Sequence, residues 1–77
     1  MRIRIEFHKF LNIARVESGS LIEVPEGCSV RDLYARLGIG KNRQGLILAF
    51  VNEEPAWKST VLKDNDIVVL RITSGGG

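Results

Sequence analysis

The sequence predicts an α+β domain, a mixed sheet of four to five strands with one main helix packed on one face. Three observations predict it. The opening Arg2-Ile3-Arg4-Ile5-Glu6-Phe7 alternates strictly, so that Ile3, Ile5 and Phe7 share one face and three charged side chains share the other. Only Ser29 to Leu37 combines a capping residue with helical apolar spacing. The closing run from Ile67 to Ile72 is apolar except for Arg71, as expected of a strand near the centre of a sheet. With 77 residues there is room for one core.

The alternation of the first segment defines a half-buried strand. A connection through Asn12 to Gly19 leads to a second, Ser20-Leu21-Ile22-Glu23-Val24, which Pro25-Glu26-Gly27 closes, and the two should pair as a hairpin. Ser29 is a good N-cap with Asp32 three residues on, and Val30, Leu33, Tyr34 and Leu37 follow at helical spacing. A helix of roughly two to three turns should therefore end at Leu37, with Gly38 as its left-handed terminator. Gly40 to Gly45 is polar, bounded by glycine, and reads as a loop.

Leu46 to Val51 is apolar on both alternating faces, which in a strand means burial on both sides or an exposed apolar face that awaits a partner. Asn52-Glu53-Glu54-Pro55 ends it. Lys63-Asp64-Asn65-Asp66 is a turn in which Asn65 can take positive φ, and it launches the final strand. The first and last strands are both apolar enough to be central, and because a helix crosses over between them they should run parallel. That order of elements is the pattern of a β-grasp, with residues 1–72 as the domain and 73–77 as a loose tail.

Composition excludes several functions. Hydrophobic residues at 44% and charged residues at 26% are the balance of a chain that folds by itself. No run approaches the roughly 20 apolar residues of a membrane span, and the first ten residues alternate charge with hydrophobe, unlike a signal peptide, so a cytoplasmic home is expected. A single cysteine, Cys28, cannot close an internal disulfide or ligate an iron–sulfur cluster. The net charge of +2 is mild and the basic residues are scattered, without the clustering that nucleic-acid binding requires.

Isolated polar residues carry little chemistry. His8 should face outward and lacks a second ligand or a nucleophile. Cys28 precedes a helix N-terminus but is expected to be packed. Trp57 fits a core lid better than an interface anchor, though tryptophan favours both. Asp64 and Asp66 belong to a turn, and Gly38-Ile39-Gly40-Lys41 lacks the spacing of a phosphate loop.

Three segments resemble a known family. Pro25-Glu26-Gly27-Cys28-Ser29-Val30-Arg31-Asp32-Leu33, Val51-Asn52-Glu53-Glu54-Pro55, and Leu62-Lys63-Asp64-Asn65-Asp66 followed by a strand and terminal glycines are similar, in that order, to the ubiquitin-like sulfur carriers of molybdopterin and thiamine biosynthesis. The usual Asp-Gly-Asp of the third segment is here Asp-Asn-Asp. The N-terminal half resembles the small subunit of molybdopterin synthase, and the tail, without the two prolines usual there, is closer to the thiamine carrier. Both pathways stay open.

The resemblance implies that a ubiquitin-activating-type adenylating enzyme uses ATP to adenylate a terminal glycine carboxylate, which sulfur converts to a thiocarboxylate. A molybdopterin synthase large subunit or equivalent acceptor then takes the sulfur. The chain is thus a carrier and not itself an enzyme, and it binds no cofactor of its own. The reactive residue is Gly77, or Gly76 after trimming, with Gly75 completing the tail; a related reading is a modifier that forms isopeptide bonds. Glycine suits the task because it lacks a Cβ and can thread a narrow channel at any φ. Partner binding is expected on the sheet face opposite the helix, at Ile67, Val69, Leu48, Phe50 and Arg71, with Val68, Leu70 and Ile72 pointing to the core.

Overall fold

 The computed structural model describes residues 1–8, 11 and 13–73. Seven elements follow one another: β1 (Arg2–Phe7), β2 (Ser20–Glu23), α1 (Val30–Arg36), α2 (Lys41–Gln44), β3 (Ile47–Val51), β4 (Glu54–Ala56) and β5 (Ile67–Ile72). The strands form one sheet in the order β2-β1-β5-β3-β4. β1 and β5 pair in parallel, Ile5 beside Val68 and Phe7 beside Leu70, while the other neighbours are antiparallel. The expected juxtaposition of first and last strands is therefore present, and β5 lies at the centre.

Alternation determines which side chains enter the core. Ile3 and Ile5 of β1, Val68 and Leu70 of β5, and Ile47 and Ala49 of β3 are buried, and Val30, Leu33 and Tyr34 of α1 are buried with them. Each fully buried aliphatic side chain contributes roughly 1.5–3 kcal/mol relative to exposure. Ile72 departs from the expected inward set: although in phase with Val68 and Leu70, it is 46% exposed, because it stands at the end of the strand.

Helix α1 begins with a complete capping box. The Ser29 hydroxyl accepts from the Asp32 backbone N–H at 3.1 Å, and the Asp32 carboxylate accepts from the Ser29 N–H at 3.1 Å. These bonds, first to the Ser29 backbone and then to its side chain, hold the Asp32 carboxyl below its ordinary pKa. A depressed carboxylate pKa adds stability above the unfolded-state value and loses it as pH falls through the folded-state value. Ser29→Ala should cost about 1 kcal/mol at neutral pH. Urea midpoints measured across the acid range should show the difference from the native chain shrinking partly as Asp32 protonates; a constant difference would show that the Ser29 hydroxyl does not hold the Asp32 carboxylate down.

Past the Leu37 cap, Gly38 takes φ +76°, as a helix terminator does, and the Arg15 side chain lies 3.1 Å from where its Cβ would stand. The expected loop at Gly40 to Gly45 instead contains α2. Gly40 in extended conformation starts this single turn, whose Gln44 amide donates to the Ile39 carbonyl and whose Arg43 donates to the Leu11 carbonyl. Tertiary bonds thus override the glycine-bounded, polar composition.

The segment that ends β3 also supplies β4, so that the two form a hairpin. Val51 pairs with Glu54 across a two-residue turn in which Asn52 and Glu53 both have positive φ, 51° and 72°. Positive φ at both positions matches the right-handed twist of a hairpin. Asn65 likewise takes φ 69° in the turn before β5.

Candidate functional site

The five residues expected to bind partners do share a face. On β5, Ile67, Val69 and Arg71 alternate with the buried Val68 and Leu70; on β3, Leu48 and Phe50 alternate with Ile47 and Ala49. Register places Val69 beside Phe50 and Arg71 beside Leu48. Leu48 is 48% and Ile67 43% exposed, and Val69 and Phe50 are half-buried. The Arg71 guanidinium carbon lies 5.3 Å from the Phe50 ring centroid, a cation–π distance. Of the two possibilities for the apolar β3 segment, the exposed face is the one found.

The sheet enlarges this patch with residues that the sequence reading did not select. Pro55 of β4 pairs with Phe50, Arg4 of β1 with Ile67, and the exposed Leu21 of β2 with Arg4. Alternation could have oriented Arg4 and Leu21, but their proximity to Ile67 depends on strand order.

At the far end of β5 the ladder with β1 runs, among the described residues, to Phe7–Leu70, while pairing with β3 continues through Ile72. The Thr73 N–H then donates to the Leu46 carbonyl at 2.8 Å. An open cavity of about 470 Å³ lies there, between Phe7, His8 and Ser18 on one side and Val69 to Ile72 on the other. Gly75, Gly76 and Gly77 lie outside the described residues.

The remaining polar groups have structural settings. The Asp66 carboxylate is buried and accepts from the Asn52 side-chain amide at 2.9 Å and the Lys63 N–H at 2.8 Å. Asn52 in turn accepts from the Ile67 N–H at 2.9 Å, so this cluster ties the β3–β4 turn to the start of β5. Asp64 accepts from the Arg2 N–H at 2.8 Å. Both aspartates therefore serve the turn.

Cys28 is buried, and its thiol pKa is raised by that burial and secondarily by Asp32, against a lowering influence of Arg36. It is not an activated thiolate. His8 is exposed, as expected, and the described residues contain no cluster of His, Cys, Asp and Glu able to hold a metal. No described helix is long and apolar enough to cross a membrane.

Trp57 corrects the expectation of a core lid, since it is 76% exposed. Its turn is held by the main chain: the Trp57 N–H donates to the Thr60 hydroxyl at 2.9 Å, and the Val30 and Arg31 N–H groups donate to the Thr60 and Lys58 carbonyls. Those bonds dock the turn against the start of α1 without requiring the indole.

Solved structures share this arrangement. A protein assigned as molybdopterin converting factor, subunit 1, from Pyrococcus furiosus superposes with TM-score 0.71 at 23% identity, over 92% of this chain and 95% of that one. SAMP1 from Haloferax volcanii superposes with TM-score 0.73 at 18% identity over 100% of both chains. The fold is a ubiquitin-like β-grasp. At these identities the likeness is one of fold, and the β-grasp topology agrees with the resemblance carried by the three turn segments. No protein-family model matches the sequence, and no curated protein matches it.

Proposed function

We propose that this β-grasp chain is a sulfur carrier, with the Gly77 carboxylate as the group that is charged. The observation that carries the reading is the course of β5. The strand presents Ile67, Val69 and Arg71 on the apolar outer face and leads, within a few residues, into Gly75-Gly76-Gly77. A partner that grips the face can therefore receive the glycine segment in its own active site.

Fixing a glycine tail costs roughly 1–2 kcal/mol per residue, so docking energy must come from the folded domain. The patch on β3 and β5 is suited to supply it. In the first step the carboxylate oxygen attacks the α-phosphorus of ATP on an adenylating partner, and pyrophosphate leaves. Hydrosulfide released by a donor then attacks the acyl carbon and AMP leaves, which yields the thiocarboxylate with no change of oxidation state. This chain supplies the carboxylate, the glycine backbone and the docking face.

The name of the Pyrococcus neighbour supports molybdopterin formation as the pathway and a molybdopterin synthase large subunit as the acceptor. Incubation with ATP, an activating enzyme and a sulfur donor, followed by intact-mass measurement, tests the proposal. The expected gain is that of one oxygen replaced by sulfur. Higher-mass protein adducts would indicate a modifier, and an unchanged mass with active cognate enzymes would refute the carrier reading. Delivery of sulfur to thiamine precursors instead would overturn the pathway alone.

The face has its own test. Leu48→Asp with Ile67→Asp changes two exposed positions, so stability should move by less than about 1 kcal/mol. Adenylation kcat/KM should fall by at least about tenfold, the loss expected when charges enter the apolar centre of an interface. Unchanged kcat/KM would show that the partner docks elsewhere.

A further inference from the structure

The opposite side of the sheet's β1–β2 hairpin carries a second surface. β2 is an edge strand among the described residues. Met1 and Val24 exchange main-chain hydrogen bonds, each at 2.9 Å. In an antiparallel ladder bonded and non-bonded pairs alternate, so the next bonded pair is Ile3–Ile22, and the main-chain groups of Leu21 and Glu23 point away from β1. An edge of that kind is a template for another strand.

Beside it lies a cavity of about 380 Å³, where half-buried Val16 and Ile22 and buried Leu37 meet Glu23, Arg15 and Arg36. Both guanidiniums are held by carbonyls: Arg15 donates to the Arg36 carbonyl at 3.1 Å, and Arg36 makes a long 3.5 Å contact to the Glu23 carbonyl. Among the described residues the one ion pair within 4 Å is Arg2–Glu23, so neither arginine has a carboxylate partner. The apolar floor thus has a positive rim.

We infer that the β2 edge and this cavity form a docking site for an extended segment of a partner protein, apolar at its centre and acidic at its flanks. The segment adds alongside β2, bonding to the main chain of Leu21 and Glu23. Its apolar side chains enter the cavity and its carboxylates meet Arg15 and Arg36, which are shaped for paired hydrogen bonds to carboxylates. A partner N–H replaces the long Arg36 contact at the Glu23 carbonyl and releases that guanidinium. The site uses neither the glycine segment nor the β3–β5 patch, so its failure would leave the carrier reading intact, and the reverse also holds.

The test is titration of the isotope-labelled full chain with the capped peptide Glu-Glu-Ile-Val-Ile-Glu-Glu, followed by amide NMR. Saturable shifts are expected at Leu21, Glu23, Arg36 and Leu37, with Leu48 and Val69 unmoved. A peptide with lysine in place of every glutamate should not bind, and N-methylation of its central residues should abolish binding by removing the strand's donors. Arg15→Glu with Arg36→Glu should weaken binding at least about tenfold. Because that variant can lose the Arg15 contact to α1, the peptide comparisons on the native chain decide if it fails to fold. Absence of saturable shifts, shifts centred on the β3–β5 patch, or equal binding of the lysine or N-methylated peptide would overturn the proposal.

Discussion

Deletion of Gly76 and Gly77 is expected to abolish thiocarboxylate formation while leaving the thermal midpoint almost unchanged. If the chain is the proposed carrier, its chemistry resides in a carboxylate that must reach another protein's active site, and a shortened chain would end in a carboxylate that no longer reaches it. Among the described residues, by contrast, the bonds of the sheet run as far as Thr73, whose N–H meets the Leu46 carbonyl. Intact-mass analysis after activation and calorimetry on the same preparation separate the two effects. Retained sulfur incorporation would exclude the tail as the charged group, and a large drop in the midpoint would show that it supports the fold.

The second large effect concerns Asp66. Asp66→Ala removes the acceptor for the Asn52 amide and the Lys63 N–H at a buried position. Losing two part-buried hydrogen bonds to a carboxylate costs roughly 1.5–3 kcal/mol each, eased where water reaches the exposed Asn52 and Lys63, so a loss of about 3 kcal/mol in all is expected. A domain of this size has roughly 4–12 kcal/mol of total stability, so the variant should lose a large share of it. A loss near 3 kcal/mol corresponds to a fall of roughly 12–24 °C in Tm. Asp66→Asn should also be destabilised, because an amide places a donor opposite one of the existing donors. Asp64→Ala, which loses an exposed acceptor for the Arg2 N–H, serves as the comparison. Equal Tm values for Asp66→Ala and Asp64→Ala would remove Asp66 from this role.

The parts of the fold legible in the sequence are those with a local cause. Two-residue alternation oriented Ile3 and Ile5, and the Ser29–Asp32 spacing located the start of α1. Gly38 and Asn65 marked positions where the backbone takes positive φ. The parallel union of β1 and β5 followed from the crossover between two apolar strands. What was missed depends on contacts outside the element: α2 is held by the bond from Arg43 to the distant Leu11 and by that from Gln44 to Ile39 just before the turn, and neither is announced by the polar, glycine-bounded composition. Trp57 was misplaced for the related reason that its turn docks through main-chain groups.

The same division applies to the candidate site. Alternation sufficed to put Ile67, Val69 and Arg71 on one face and Leu48 and Phe50 on another strand's matching face. It could not show that Arg71 lies over the Phe50 ring, or that Arg4 and Leu21 extend the surface, because these follow from register and strand order. The glycines were identified by composition and by resemblance, and they lie outside the described residues.

The central position of β5 also bears on biosynthesis. Its neighbours β1 and β3 are both made earlier, yet they meet only through this last strand. A nascent chain still lacking Ile67 to Ile72 has two unconnected hairpins and a helix with only part of a sheet to cover. Cooperative folding should therefore wait until the ribosome has released Ile67 to Ile72.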